Sequence, residues 1–415
     1  DNNVTIAIDG ASMDRDVVVQ VLGYADYRAT MAAVYQRQHW NGAYMTIPRK
    51  ADVPDAQPMH IKLLIDCSGS MSGTSIAQAR QAVIRLLGLL RDGDSIAVTR
   101  FASGVQTFHV AGKIQASSAP RDMRLQRMLG HLTTLLGRSP KSVLVIGCGA
   151  GITAGAVSVD PRVERETIAE IEPLVPRAAA KYFGDQNQDV VRNPKVHVEY
   201  DDGRHYLLNT SEKFDGITID PLDPWVKGAA NLYTKEFYEA MRAHLNPGGV
   251  VTMYIQLFET TEEAVKSSLA TFFEVFPEGT VWGNPYEGRG HDMVLAGQVE
   301  PIAVDLDAME DLFRRADFET VNQSLTEVGL YSYVDLFATY AGRARDLKPW
   351  TAGAPINRDS NLRMQYLAGL GLNLDESDPI YQGILKYRQY PAEMFHSTEG
   401  RDQSIRLKLQ AEFQP

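Results

Sequence analysis

Val143-Leu144-Val145-Ile146-Gly147-Cys148-Gly149-Ala150-Gly151 is the stretch on which the fold turns. Four consecutive apolar residues read as a buried strand, and glycine at alternate positions after them reads as a tight loop. Glycines there let backbone N–H groups approach a ligand that a side chain would block. Glu170 ends the next expected strand, 19 residues beyond Gly151. An acid at that place can accept both ribose hydroxyls of a nucleoside. A lone Gly-x-Gly-x-Gly is weak evidence, but strand before, helix after and acid at the next strand end make it specific. The plainer reading is a tight strand-to-helix turn beside a solvated glutamate. Ser142 to Val159 also runs 18 residues without a charge, the lower limit for a membrane-spanning helix. Gly147, Gly149, Gly151 and Gly155 interrupt it, so a strand and loop are expected and no membrane span.

Outward from this stretch the pattern alternates between strand and helix. Expected strands are Val143 to Ile146, Glu166 to Glu170, Val196 to Tyr200, Gly216 to Asp220 and Gly249 to Ile255. Expected helices are 123–137, Pro176 to Phe183, Lys235 to His244 and Glu262 to Phe276. Such alternation predicts a parallel sheet. Residues 1–58 read as short antiparallel strands, with a linker marked by Pro48, Pro54 and Pro58. His60 to Ile65 and Ser95 to Phe101 read as strands around a helix at Ser75 to Arg91. Residues 301–415 carry helical patterns.

Composition sets the bounds. The chain has 415 residues, which suggests two or three domains. Lys and Arg number 41 against 52 Asp and Glu, a formal net charge of −11. A phosphate surface would repel such a chain, so no nucleic acid is expected as partner, while a cationic amine suits it. Two cysteines exclude a disulfide framework and paired-cysteine zinc sites. The sequence opens at Asp1 rather than Met, so any preceding signal or anchor lies outside it.

Asp220 ends an apolar strand and is followed by Pro221-Leu222-Asp223-Pro224. In an open α/β sheet, ligands sit beyond the carboxyl ends of the strands. Asp220 and Asp223 are therefore expected to face the same crevice as the glycine loop. Two carboxylates there can hold a cationic amine and take up its proton; one ion pair at 4 Å is worth roughly 4 kcal/mol at an effective dielectric of 20, before desolvation. The alternative is that Asp220 caps a loop and Asp223 is merely exposed.

Residues 105–298 resemble the spermidine synthase (polyamine aminopropyltransferase) family. Val110-Ala111-Gly112-Lys113-Ile114-Gln115 is similar to its N-terminal hairpin, and Asp122 to Leu132 to its Asp-Glu-x-x-Tyr-Gln-Glu-Met-x-x-His-Leu-Pro motif. Lys141 to Gly151 resembles its glycine strand and loop, Ala169-Glu170-Ile171-Glu172 its Glu-Ile-Asp segment, and Asp201-Asp202-Gly203-Arg204 its Asp-Gly pair. Asp220 to Pro224, with Leu232-Tyr233-Thr234-Lys235-Glu236-Phe237-Tyr238, resembles its catalytic Asp-x-x-Asp-Pro and Tyr-x-x-Glu-Phe-Tyr motifs. The resemblance implies an α/β, Rossmann-like transferase domain that binds decarboxylated S-adenosylmethionine as co-substrate and passes its aminopropyl group to a polyamine such as putrescine. It implies catalytic roles for Asp220, Asp223 and Tyr233. Asp220 would orient the amine and accept its proton, and Asp223 would help hold the polyamine. Glu170 would bind the ribose, Asp202 the adenine side and Gln126 a substrate, beside Gly147, Gly149 and Gly151. It also implies a homodimer, and a cytoplasmic enzyme is expected. Two departures matter: the family's tyrosine before Gln126 is Leu125, and its aspartate inside the glycine loop is Ala150. That aspartate holds the aminopropyl ammonium and repels the carboxylate of ordinary S-adenosylmethionine. Ordinary S-adenosylmethionine and methyl transfer therefore stay open as an alternative. The tail, with Tyr340-Ala341-Gly342-Arg343 and Ile356-Asn357-Arg358-Asp359, resembles an extension in a bacterial branch.

A second resemblance lies upstream. Asp66-Cys67-Ser68-Gly69-Ser70-Met71-Ser72-Gly73 resembles the metal-ion-dependent adhesion motif of von Willebrand factor A (vWA) domains, and residues 13–59 resemble the segment preceding such domains in bacterial surface proteins. Asp66, Ser68 and Ser70 offer hard oxygen ligands suited to Mg²⁺. The remaining strands and ligands of such a domain are missing, so a truncated vWA-like segment without tightly held Mg²⁺ is expected. A metal-dependent binding module carried on an inactive transferase-like scaffold is the third functional reading. The expected organisation is thus a β-rich segment at 1–58, a partial vWA-like segment at 59–94, a catalytic domain at 95–300 and a helical C-terminal extension at 301–415.

Overall fold

The computed structural model describes residues 17–20, 31–37, 40–46, 60–66, 95–101, 106–110, 113–286, 289–372 and 374–411. The chain divides into two compact units, residues 1–114 and 115–415.

In the first unit, β1 (Val17–Gln20), β2 (Met31–Arg37) and β3 (Trp40–Thr46) form an antiparallel sheet in that order. β4 (His60–Asp66) pairs in parallel with β5 (Ser95–Phe101), from His60↔Ser95 to Asp66↔Phe101. β6 (Thr107–Val110) follows. The expected helix at Ser75 to Arg91 lies outside the described residues, as does most of the adhesion-like motif.

β7 (Lys113–Ser117) runs across the boundary at residue 114, and α1 (Pro120–Leu136) is the first helix of the second unit. The alternating core follows: β8 (Ser142–Ile146), α2 (Ile152–Ser158), β9 (Arg165–Ala169), α3 (Leu174–Tyr182), β10 (Val196–Glu199), α4 (Gly203–Asn209), β11 (Phe214–Ile219), α5 (Lys235–Ala243), β12 (Leu245–Gln256) and α6 (Glu262–Val275). β13 (Thr280–Tyr286) and β14 (Arg289–Gln298) come next. In the tail are β15 (Val304–Asp305), α7 (Leu306–Phe313), α8 (Glu319–Thr326), α9 (Tyr333–Phe337), β16 (Tyr340–Arg343), α10 (Ala344–Leu347), α11 (Arg363–Gly369), α12 (Ser377–Leu385), β17 (Phe395–His396) and α13 (Asp402–Ala411).

Eight strands form one sheet in the order β10-β9-β8-β11-β12-β14-β13-β16. The first five are mutually parallel, as the alternation predicts. β14, β13 and β16 add antiparallel pairs. The sheet is therefore mixed, which corrects the expectation of a parallel sheet. β13 and β14 form a hairpin with no helix between them, so the βαβ rhythm does not extend to them. The tail is likewise more than a helical extension. β16 pairs with β13, and Met364, Leu367, Ile380, Tyr381 and Ile384 join the main apolar core.

Burial on both faces explains why β8 reads as one apolar run. Leu144 and Ile146 enter the core shared with α5 and α6, while Val143 and Val145 pack with Ala154, Val157 and Ala179 on the other side. One glycine marks how closely that second layer is packed. A Cβ at Gly155 would lie 2.3 Å from the backbone oxygen of Asn187. Gly155→Ala is expected to destabilise the chain by about 1–3 kcal/mol through overpacking. A urea unfolding midpoint equal to that of the wild type would contradict this close approach.

Candidate active site

β8 and β11 pair in parallel from Val143↔Gly216 to Ile146↔Ile219. Their carboxyl ends therefore lie side by side, where the strand order reverses and an open sheet leaves a crevice. The glycine loop leaves one strand and Asp220 leaves the other.

The loop is built with one face closed and one open. Gly147, Gly149 and Gly151 have φ of +84°, +51° and +78°, a region that glycine adopts without strain. The Gly147 N–H donates to the Ala169 oxygen at 2.8 Å and the Gly151 N–H to the Cys148 oxygen at 2.7 Å. A Cβ on Gly147 or Gly149 would meet nothing within 4 Å, whereas one on Gly151 would come 3.0 Å from Asn187 Nδ2. Glu170 lies just past the end of β9 and is buried. Its Oε2 accepts from the Cys148 N–H at 2.7 Å and its Oε1 from the Glu172 N–H at 2.9 Å. Each carboxylate oxygen keeps further acceptor capacity for a ligand hydroxyl.

Asp202 caps α4, its Oδ1 accepting from the His205 N–H at 2.8 Å. The adjoining Gly203 is pressed on β8, since a Cβ there would sit 2.3 Å from Ile146 Cγ2. That contact sets the exposed Asp202 beside the glycine loop. Gly147, Gly149, Gly151, Glu170 and Asp202, five of the six residues expected to bind the nucleoside co-substrate, thus lie at the ends of β8, β9 and β10, and the sixth, Gln126, lies on α1.

The other half of the crevice is acidic. Asp220 is partly buried. Burial first, then the Asp122 and Asp223 carboxylates, push its pKa up to about 7. Asp223 is buried, and its Oδ2 receives Gln115 Nε2 at 3.5 Å. The Tyr233 hydroxyl donates to the Leu222 oxygen at 3.0 Å. Burial, then the charges of Asp223, Tyr238 and Asp220, hold that phenol well above its ordinary pKa, so it stays a neutral donor. Gln126 is buried in the second turn of α1, with Nε2 donating to the Asp122 oxygen at 3.1 Å.

Three residues to which the sequence reading gave no role belong here. Asp122 stands in the first turn of α1 and acts on Asp220. Tyr254 on β12 and Asp292 on β14 lie on the same side of the sheet. Burial, then Asp292, Asp220, Asp223 and Tyr233, raise the Tyr254 phenol well above its usual value. Burial is also the main cause that lifts Asp292 to about 8. The one available signal was the acid heading the apolar run Met293-Val294-Leu295, which has no meaning until the strand and its face are known.

Leu125 and Ala150, the two departures, are both buried. The Ala150 oxygen accepts Asn187 Nδ2 at 2.9 Å, so this position gives the crevice no carboxylate. Of the expected metal ligands, Ser68 and Ser70 lie outside the described residues and Asp66 closes β4. Among the described residues no group of three His, Cys, Asp or Glu is placed to hold a metal ion, and no helix is long and apolar enough to cross a membrane.

The raised carboxyls make stability depend on pH. Asp220 and Asp292 hold protons in the folded state where the unfolded chain has released them. Stability therefore falls as pH rises from about 4 towards 8. Asp220→Asn is expected to flatten that decline and gain about 1–2 kcal/mol over the wild type at pH 8, a figure reduced for its partial exposure. Urea unfolding at pH 5 and pH 8 reads this directly; parallel pH profiles for the two proteins would contradict it.

Comparison with known proteins gives a consistent result. Residues 122–282 match the family described as spermine/spermidine synthase domain. A polyamine aminopropyltransferase of Saccharolobus solfataricus is 30% identical over 215 residues, covering 49% of this chain and 70% of that protein. Polyamine aminopropyltransferase 2 of Hyperthermus butylicus is 29% identical over 205 residues, covering 48% of this chain and 67% of that protein. Both sources are archaeal, and the expected kinship of the tail with a bacterial branch gains no support from them. Among solved structures, spermidine synthase from Thermotoga maritima is 24% identical with a TM-score of 0.43, covering 54% of this chain and 80% of its own.

Proposed function

The chain belongs to the spermine/spermidine synthase family, and from that premise we propose that it is a polyamine aminopropyltransferase whose reaction takes place in the crevice beyond β8 and β11. The observation that carries the reading is Asp220, a carboxyl with a pKa of about 7, on the strand beside the glycine loop.

The chemistry requires such a group. An aliphatic amine is protonated at neutral pH, with a pKa near that of lysine, about 10.4. Only its neutral form has the lone pair that attacks. Asp220 accepts that proton, and Asp223 and the neutral Tyr233 hydroxyl hold the acceptor in place. The amine nitrogen then forms a bond to the methylene beside the sulfonium of decarboxylated S-adenosylmethionine. The carbon–sulfur bond breaks with its electron pair going to sulfur, which leaves a neutral thioether nucleoside. Sulfonium is already a good leaving group, so positioning supplies much of the remaining acceleration. Glu170 holds the ribose and Asp202 the adenine side, with the loop at Gly147, Gly149 and Gly151 against the nucleoside and Gln126 contacting a substrate. The net charge of −11 favours a cationic acceptor over an anionic one.

Ala150 bears on the choice of donor. Without a carboxylate in the loop, selection for the decarboxylated donor rests on the remaining acids. Mass spectrometry of products from putrescine with each donor tests the reading. An aminopropyl adduct from the decarboxylated donor is expected, and a methyl adduct from ordinary S-adenosylmethionine would replace this reading. Asp220→Asn is expected to lower turnover about 10²–10⁴-fold, the usual loss for a general base, while 5′-methylthioadenosine binds as before. Full turnover in that variant would defeat the role given to Asp220.

A further inference from the structure

We propose that Asp292, held by Asn284, is the specificity-determining anchor for a second ammonium on the acceptor, so that the site selects diamines over monoamines. This rests on the aminopropyl-transfer reading and names a residue that sets the choice of acceptor.

Strand register supplies the geometry. Ile219 pairs with Met253, so Asp220 falls opposite Tyr254. Tyr254 pairs with Val294 and Gln256 with Asp292, and Asn284 pairs with Asp292. Residues opposite one another, or two apart on a strand, share a face. Asp220, Tyr254, Gln256, Asp292 and Asn284 therefore line one face at one end of the sheet. It is the face that α1 covers, because Thr218 and Thr252 on it are hydrogen-bonded at 2.9 Å and Thr252 meets Thr133 of α1 at 2.6 Å. Two strand spacings and two residues separate Asp220 from Asp292, roughly 12 Å between Cα atoms. That is the scale of a short aliphatic diamine with an ion pair at each end.

The surroundings of Asp292 fit a cation that arrives with the substrate. Asp292 is 3% exposed. Its Oδ1 accepts the neutral amide of Asn284 at 2.8 Å, and Arg124 Nε fixes Asn284 through Oδ1 at 3.1 Å. Acting on it are Arg121 and Asp122 from α1, Asp220 from beyond β11 and Asn284 from β13; it acts in turn on Tyr254 of β12, and Gln256 of β12 pairs with it in register. Arg121 is the cation that acts on it directly, against Asp122 and Asp220. A buried carboxyl among like charges is costly unless it stays neutral or gains a counter-ion. Empty, Asp292 keeps its proton; with an ammonium beside it, that proton leaves. A purely structural Asp292 would be a neutral acid hydrogen-bonded to Asn284, indifferent to the acceptor.

The test is calorimetry on the full chain saturated with 5′-methylthioadenosine, titrated at pH 7.5 with 1,4-diaminobutane or with butylamine. Two buffers of different ionisation enthalpy count the protons released. Asp292→Asn is expected to weaken the diamine about tenfold or more, leave butylamine nearly unchanged, and reduce proton release on diamine binding. Asp292→Glu, which advances the carboxyl by one methylene, is expected to shift preference towards 1,3-diaminopropane. A diamine-to-monoamine ratio unaltered in both variants would overturn the inference. A wild type that binds the diamine and forms no product defeats the transfer reading and leaves the anchor to be judged by the binding ratio. A wild type that binds no diamine defeats both.

Discussion

The pairing of β8 with β11 is the constraint from which the site follows. Those strands lie adjacent because the sheet is built outward from β8 in both directions. The reversal leaves no helix over their joint carboxyl end. A loop made mostly of glycine and an acid at a strand terminus are each unremarkable alone. Placed about one strand spacing apart, they bring a nucleoside surface and a proton acceptor within reach of one substrate pair.

What holds that arrangement is partly outside the 122–282 stretch that defines the family. Asn357, fully buried in the tail, donates through Nδ2 to the oxygens of Tyr233 at 2.9 Å and Ala230 at 3.2 Å. Its own oxygens accept from the N–H groups of Lys235 and Met364, and its N–H reaches Thr271 at 2.9 Å. The segment carrying Tyr233 is thereby fastened to α6 and α11. Two residues on, Asp359 takes a two-pronged contact from Arg204 of α4, the helix that Asp202 caps. One short piece of tail thus ties the acceptor side to the adenine side. A fully buried amide with its donors and acceptor satisfied makes a rigid fastening.

The acidic half of the crevice runs against stability. Asp220 and Asp292 sit where burial, with the nearby Asp122 and Asp223 carboxylates acting on Asp220 and those of Asp122 and Asp220 on Asp292, favours their protonated forms. Close packing elsewhere offsets that strain: Tyr238, Phe272 and Phe276 are fully buried, and Tyr238 meets Phe272 edge-on at 5.3 Å. Concentrating like charge at a working site while an apolar core holds the fold is the usual exchange between activity and stability.

Residue order alone was enough for the parallel half of the sheet, the glycine loop, and Glu170, Asp220 and Asp223 as candidate acids, while Asp202 was named only through the family resemblance. Glu170 and Asp220 each stand just past a strand end, and strand patterning with its punctuation marks those places locally. Strand limits read from the pattern fall within two residues for β8 to β11; β8 and β11 are short, mostly apolar runs with a clear stop, while β9 and β10 are set off by their β-branched residues and the polar residues after them. Tertiary structure decided the rest. The β13–β14 hairpin and the capture of β16 depend on partners far along the chain, and nothing in residues 340–343 states which edge they complete. Asp292 and Tyr254 were hidden for the same reason. A side chain's part in a site depends on the face it shares with its neighbours, and face is settled only when strand register is.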